Sequence, residues 1–280
     1  MWSLLEFFPE DFRINILDVA AALSERPPYQ SLVDAGRGRI FGFEPNRVAC
    51  EHLNRAYGSP HRFFQVFVGD GLPAVFHETN WVLTGSLYEP NSRLLEKFQN
   101  LAEVVTPVGA YSVDTTRLDD VAEIDDIDFI KIDVQGSELA VFKNASRALC
   151  SALLIQTEVG FVELYRGQPL FADVDAFLRA ARFQFHTMNS VTGRAFKPLV
   201  AKGDVNSAFR QTLWADALYV RDWMHLDDLS DAKLRNYAIL AHDILQSYDL
   251  AHLVLLALDN RTRGDRAAHY LRRLVENKPP

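Results

Sequence analysis

Apolar residues along the chain fall into two alternating patterns. Short runs rich in β-branched and aromatic residues recur at 14–19, 39–43, 62–68, 127–134, 153–157, 183–188 and 212–220. Each has the length of a strand, and the run at 127–134 is nearly continuous in apolar residues, as a strand covered on both faces must be. Between them lie stretches with helical spacing. Asn46 suits a helix N-cap ahead of Ala49, Leu53 and Ala56. Leu139, Phe142, Ala145 and Leu149 form a second helical set, and Phe171, Val174, Leu178 and Ala181 a third. Strands alternating with helices predict an α/β fold with a mostly parallel central sheet.

Two stretches depart from simple alternation. About sixty residues separate the third and fourth strands, with β-prone pieces at 74–79 and 108–116 around a helix carrying Leu94, Leu95, Phe98, Leu101 and Ala102. An insertion beside the carboxyl ends of strands commonly builds a substrate-facing rim. Beyond Asp222 the period is helical, through Leu234, Tyr237, Ala238, Ala241, Ile244 and Leu245. The expected division is a domain over 1–222 and a C-terminal helical extension over 223–280. The apolar face of that extension either packs on the core or makes a homodimer contact.

Composition narrows the function classes. The 280 residues are 48% hydrophobic and 24% charged, so the chain is no disordered polyelectrolyte. With 29 Lys+Arg against 37 Asp+Glu the net charge is −8, which argues against a general nucleic-acid binder. The apolar run 253–258 is far short of the ~20 residues a spanning helix needs, so no membrane span is expected. The first ten residues carry acids where a signal peptide wants apolar residues, and suggest an apolar flap or short helix docking on the domain. Cys50 and Cys150 are too few for a disulfide framework or a multi-Cys zinc site, and a reducing cytoplasm is the expected location. The eight histidines contain no H-x-x-x-H pair, so no metal site of that kind is expected.

The strongest local signal is Asp128-Phe129-Ile130-Lys131-Ile132-Asp133-Val134-Gln135-Gly136-Ser137-Glu138. It sets Asp133 at the carboxyl end of a buried strand, ahead of a glycine turn and a helix. In open α/β sheets ligands bind at that edge. The alternative is an acid that only caps the helix through the Gly136 or Ser137 amides. Lys131, just inside the strand end, reads as a snorkelling or ion-paired lysine. Asp18, Glu44 and Asp70 stand at the tips of the first three strands, and Glu44 is placed to accept hydrogen bonds from vicinal ribose hydroxyls. Such a set suits a nucleoside-bearing ligand, although Asp70 could equally form a turn in Gly69-Asp70-Gly71. If the fourth and fifth strands are neighbours, Asp133 and Glu158 sit about 5 Å apart. That spacing suits a shared proton, a substrate hydroxyl between them or a divalent cation.

After the first strand a phosphate-binding fold wants glycines. Here the stretch is Asp18-Val19-Ala20-Ala21-Ala22, and alanine does not cheaply adopt the positive φ that glycine permits. Gly36-Arg37-Gly38 precedes a strand and reads as a helix-to-strand turn. The missing cradle disfavours NAD, FAD or ATP and is less damaging for a ligand without phosphate.

The block Ile130-Lys131-Ile132-Asp133-Val134-Gln135-Gly136-Ser137-Glu138-Leu139, followed by Phe142-Lys143-Asn144-Ala145, resembles the signature of FkbM-type methyltransferases. The likeness continues through Ile155-Gln156-Thr157-Glu158-Val159 and Leu164-Tyr165-Arg166-Gly167-Gln168-Pro169-Leu170-Phe171. Upstream it takes in Ile16-Leu17-Asp18-Val19-Ala20 and Gly42-Phe43-Glu44-Pro45-Asn46. It implies a Rossmann-like class I fold and S-adenosyl-L-methionine-dependent O-methylation of a hydroxyl on a sugar, lipid or natural product. The partner would be a small-molecule or glycan acceptor. By position Asp18 and Ala20 would flank the methionine part of the cofactor, and Glu44 with Asn46 would hold the ribose. Gly69 and Asp70 would lie near the adenine, and Asp133 and Glu158 would orient or deprotonate the acceptor hydroxyl. Ser86 and Tyr165 are placed as acceptor-side contacts. An acid-lined cleft would favour a sulfonium cation. The alternative, motivated by the alanine-rich first motif and the helical tail, is a catalytically degenerate methyltransferase-fold binding or assembly module.

Overall fold

The computed structural model describes residues 2–21 and 26–276. Its strands are β1 (Ile14–Val19), β2 (Gly38–Phe43), β3 (Arg62–Phe64), β4 (Phe67–Val68), β5 (Pro73–Thr79), β6 (Pro107–Thr116), β7 (Phe129–Ile132), β8 (Leu154–Gly160), β9 (Phe183–Gly193) and β10 (Thr212–Arg221). The helices are α1 (Gln30–Asp34), α2 (Arg47–Tyr57), α3 (Ser92–Leu95), α4 (Leu101–Val104), α5 (Glu138–Lys143), α6 (Ser146–Ser151), α7 (Phe171–Ala180), α8 (Asp231–Ile239), α9 (Tyr248–Thr262) and α10 (Arg266–Glu276). Seven strands form the central sheet in the order β3-β2-β1-β7-β8-β10-β9. Neighbours from β3 through β8 pair in parallel, and β10 runs antiparallel to both β8 and β9. This is the mostly parallel, Rossmann-like α/β architecture expected from the sequence.

Alternation along each strand divides the sheet into two faces. Leu17, Val19, Phe41, Phe43, Ile130, Ile132 and Ile155 face one way and pack with Val141, Phe142, Leu149, Val174 and Leu178 of α5–α7. Ile14, Ile16, Phe129, Leu154, Leu218 and Val220 face the other, against Leu32 of α1, Leu53 of α2 and the C-terminal helices. The helical tail therefore packs on the core. It is tied there by Asp128, at the foot of β7, whose buried carboxylate accepts from Asn15 N (2.9 Å), Lys233 Nζ (2.7 Å) and Asn236 Nδ2 (3.1 Å). Between α8 and α9 a single π-turn spans Leu240–Ile244. Its Asp243 accepts from Ser3 Oγ and the Leu4 amide at 3.1 and 3.2 Å, so the tail also holds the short N-terminal 3-10 helix Leu4–Phe7. Among the described residues no helix is long and apolar enough to cross a membrane.

Three expected elements are divided. The third strand, read over 62–68, breaks into β3 in the central sheet and β4, which joins a separate sheet of order β4-β6-β5. The helix expected through Leu94–Ala102 splits into α3 and α4, because the intervening backbone pairs elsewhere. Gln99 N donates to Ala195 O at 2.9 Å, and Lys197 N to Lys97 O at 2.8 Å. The helix expected over 139–149 becomes α5 and α6, since Asp119 accepts from the Ser146 and Arg147 amides (2.9 and 3.0 Å) and starts a new helix there. Gly36, at φ +69, makes the α1–β2 turn as expected.

Candidate active site

The chain leaves β1 for β2 and β3 on one side, then returns to β7 on the other. The strand order thus reverses between β1 and β7, and an open α/β sheet has its binding crevice at the carboxyl ends beside such a point. The residues at that edge are 20–21 after β1, 44–46 after β2, 133–137 after β7 and the end of β8.

At the end of β1, Ala20 takes φ +65. The left-handed conformation ordinarily supplied by glycine is present here on an alanine, at a local cost of about 1–2 kcal/mol. Ala21 then returns to the sheet, its amide donating to Phe43 O at 3.0 Å. Ala22 lies outside the described residues.

Below this turn two polar rungs cross the sheet. Asp18, Lys131 and Gln156 are register partners on β1, β7 and β8. Asp18 is buried, with Oδ1 3.2 Å from Lys131 Nζ and Oδ2 accepting from Tyr29 Oη. The sequence assigned Asp18 to the cofactor's methionine end. Both of its oxygens are instead engaged within the protein, and Lys131 is the ion-paired lysine expected. Burial works to lower the Lys131 pKa, but the carboxylates of Asp18, Asp133 and Asp216 outweigh it and raise it.

The second rung carries Asp133 and Glu158, with Asp216 of β10 in register with Glu158. Because β7 and β8 are parallel neighbours, the two acids come together as the sequence argument required. The Gln135 carboxamide bridges them, its Nε2 donating to Asp133 Oδ1 at 2.7 Å and to Glu158 Oε1 at 3.3 Å. Burial, then the nearby charges of Asp133, Glu138 and Asp216, pushes Glu158 well above the ordinary carboxyl range. Asp133 does not cap the following helix. Glu138 Oε1 instead ties the turn ahead of the helix, accepting from the Val134 and Gly136 amides (3.0 and 3.1 Å). Burial leads the shift that carries the Glu138 carboxyl up to about 7.

Glu44, half-buried at the tip of β2, accepts from Asn46 N at 2.7 Å, and burial raises its pKa. Asn46 is exposed and caps α2 through Oδ1 to Ala49 N (3.0 Å). Gly69 is buried where the chain crosses β6; a Cβ there would come within 2.8 Å of the Thr115 Cβ. Asp70 is exposed and closes a turn by accepting from Leu72 N at 3.0 Å. Ser86 and Tyr165, expected on the acceptor side, are buried and contact Gln135 instead. Ser86 Oγ donates to Gln135 O at 2.6 Å, and Tyr165 Oη lies 3.1 Å from Gln135 Oε1 and 2.9 Å from Thr84 O.

Sequence reasoning missed Gln135, Glu138, Asp216 and Tyr29 as parts of this region. The first two stand inside the signature block, where a glutamine between two acids was signal enough. Asp216 had a weaker trace, as an acid within an otherwise apolar strand. Tyr29 follows two prolines and carried no local sign of reaching Asp18.

The fold and its acid-lined switch point place the chain among open α/β proteins with a crevice at the carboxyl edge of the sheet. Residues 18–185 match the methyltransferase FkbM domain, and the chain belongs to that family. It is 34% identical over 153 residues to the 2-O-methyltransferase NoeI of Sinorhizobium fredii; the match spans 50% of this chain and 61% of that relative's length. A crystal structure of magnesium protoporphyrin IX methyltransferase (ChlM) from Synechocystis PCC 6803 with bound SAM is similar with a TM-score of 0.39 and 11% identity. That likeness covers 75% of this chain and 70% of the other.

Proposed function

We propose that this chain is an S-adenosyl-L-methionine-dependent methyltransferase that methylates a hydroxyl oxygen on a small-molecule or glycan acceptor. The observation that carries the reading is the joining of Glu44, Asp133 and Glu158 around one switch-point crevice in a member of the FkbM family. The donor set fits the cofactor. A carboxylate at the tip of β2 suits a vicinal diol. The left-handed turn at Ala20 gives the close backbone approach that the first motif needs, which favours a working site over a degenerate one. Similarity to a 2-O-methyltransferase supports oxygen as the methyl acceptor.

The cofactor, when bound, supplies a methyl group on a sulfonium sulfur. The protein's part is positioning and proton transfer. Asp133 and Glu158 would hold and orient the acceptor hydroxyl, and correct orientation accounts for much of the rate of such a transfer. Burial and the three neighbouring acids raise the Glu158 pKa well above the ordinary carboxyl range. Between them Asp133 and Glu158 would receive the proton that the acceptor hydroxyl gives up on methylation, the cofactor leaving as its neutral thioether.

The test is calorimetric titration with S-adenosylhomocysteine. Wild-type chain is expected to bind, and Glu44→Ala to bind about 10- to 100-fold more weakly through loss of a charged hydrogen-bond acceptor. Absence of heat from folded wild-type protein at millimolar ligand would remove the reading.

A further inference from the structure

Gln135 is where the polar groups of the crevice converge. It stands in the turn after β7 at φ +52, ahead of Gly136 at φ +100. Its amide nitrogen carries two hydrogens, and two carboxyl groups lie within reach, Asp133 at 2.7 Å and Glu158 at 3.3 Å. Its amide oxygen only accepts, and the group facing it is the Tyr165 hydroxyl at 3.1 Å. Turned end for end, the amide would set its oxygen against two carboxyl groups. The two carboxyl groups thus select the orientation in which both hydrogens serve the acids, while the single Tyr165 hydroxyl proton is shared between Gln135 Oε1 and Thr84 O at 2.9 Å. The backbone is held as well, by the Ser86 Oγ donor at 2.6 Å. Tyr165 is itself fixed, its amide donating to Gln168 Oε1 at 2.7 Å. Two separate segments, one from the insertion and one from the loop after β8, therefore brace a single residue.

We propose that Gln135 is a positioning residue of the reaction: its carboxamide holds Asp133 and Glu158 in one orientation, and Tyr165 braces that carboxamide at its oxygen end. Its catalytic meaning rests on the methyl-transfer reading; its geometry does not. The charged and titratable groups around Glu158 are Asp133 from the β7 turn, Glu138 from α5, Asp216 from β10 and Tyr165 from the following loop. Lys131 lies nearby, paired with Asp18. The three acids disfavour ionisation of Glu158, and the Gln135 amide favours it. Removing the amide therefore moves Glu158 further up.

The experiment is a pH titration of the full chain carrying 13C-labelled Asp and Glu carboxyls, followed by NMR, on wild type, Gln135→Met and Tyr165→Phe. In Gln135→Met the Glu158 midpoint is expected to rise by about 1–2 pH units, the effect of losing a hydrogen bond to a charged group. In Tyr165→Phe it should rise by less, in the same direction, as the amide loses the brace at its oxygen end. A Glu158 midpoint unchanged in folded Gln135→Met overturns the proposal. Should that variant fail to fold, an unchanged midpoint in Tyr165→Phe overturns it instead. Titration with S-adenosylhomocysteine on the wild-type sample separates the two ideas. A chain that does not bind it loses the methyl-transfer reading, while the amide fork stands or falls on the NMR midpoints alone.

Discussion

Replacing Asp243 by Asn should make the protein's stability far less sensitive to a rise in pH from about 4 to about 7. The carboxyl lies in the π-turn of the tail, where burial drives its pKa up to about 7 against the pull of the Ser3 and Leu4 donors, and Glu6 adds to the rise. An unfolded aspartate titrates near 3.9. A folded-state pKa raised in this way means that the native chain binds the extra proton. The contribution is therefore complete below about pH 4 and is lost as pH climbs through 7. At 1.36 kcal/mol per unit the full loss is about 4 kcal/mol, of which about 3 kcal/mol falls between pH 5 and pH 8.5. Asparagine keeps the shape, accepts from the Leu4 amide and donates to Ser3 Oγ, but never ionises. Guanidinium unfolding of both proteins at pH 5 and pH 8.5 measures the difference. The advantage of Asp243→Asn should grow by about 3 kcal/mol over that interval. Parallel pH profiles for the two proteins would refute the reasoning.

Two further perturbations probe the turn after β1 and the docking of the tail. Ala20→Gly relieves a left-handed alanine worth about 1–2 kcal/mol and gives back about 0.4–1 kcal/mol through the freer unfolded chain. Scanning calorimetry should show Tm rising by about 1–2 °C, and any fall would contradict the assignment of φ at this position. Lys233→Met leaves the buried Asp128 carboxylate without its cation, a change typically costing about 3–5 kcal/mol. Chemical unfolding should register a loss of that size; a loss under about 1 kcal/mol would mean that the ion pair does not hold the tail.

Much of the architecture was legible because its signals were local. The apolar runs at 14–19, 39–43, 127–134 and 153–157 marked the central strands, and the tips of the last three located Glu44, Asp133 and Glu158. What escaped the sequence depended on residues distant along the chain. Nothing near Asn144 announces that Asp119 will start a new helix at Ser146, and nothing near Phe98 announces its pairing with Phe196. The same holds within the site. Their loops carry Ser86 and Tyr165 to the turn after β7, where both meet the half-buried Gln135. Alanine at position 20 is the instructive middle case. Its type argued against a left-handed turn, and the surrounding fold imposes that turn regardless.

The tail that covers one side of the sheet has a consequence for how the chain comes apart. The stretch matching the FkbM domain ends at residue 185, yet Ile14, Ile16, Phe129, Leu154 and Leu218 share their apolar cluster with Leu234, Tyr237, Val254 and Tyr270. A fragment ending at 222 would turn that face toward water, and a chain lacking its first eight residues would uncover part of the tail in turn. The two termini are thus each other's lid, and the boundary of kinship in the sequence is not a boundary of cooperativity. Such a chain should melt in one transition, with its oldest-looking segment unable to stay folded after the rest has gone.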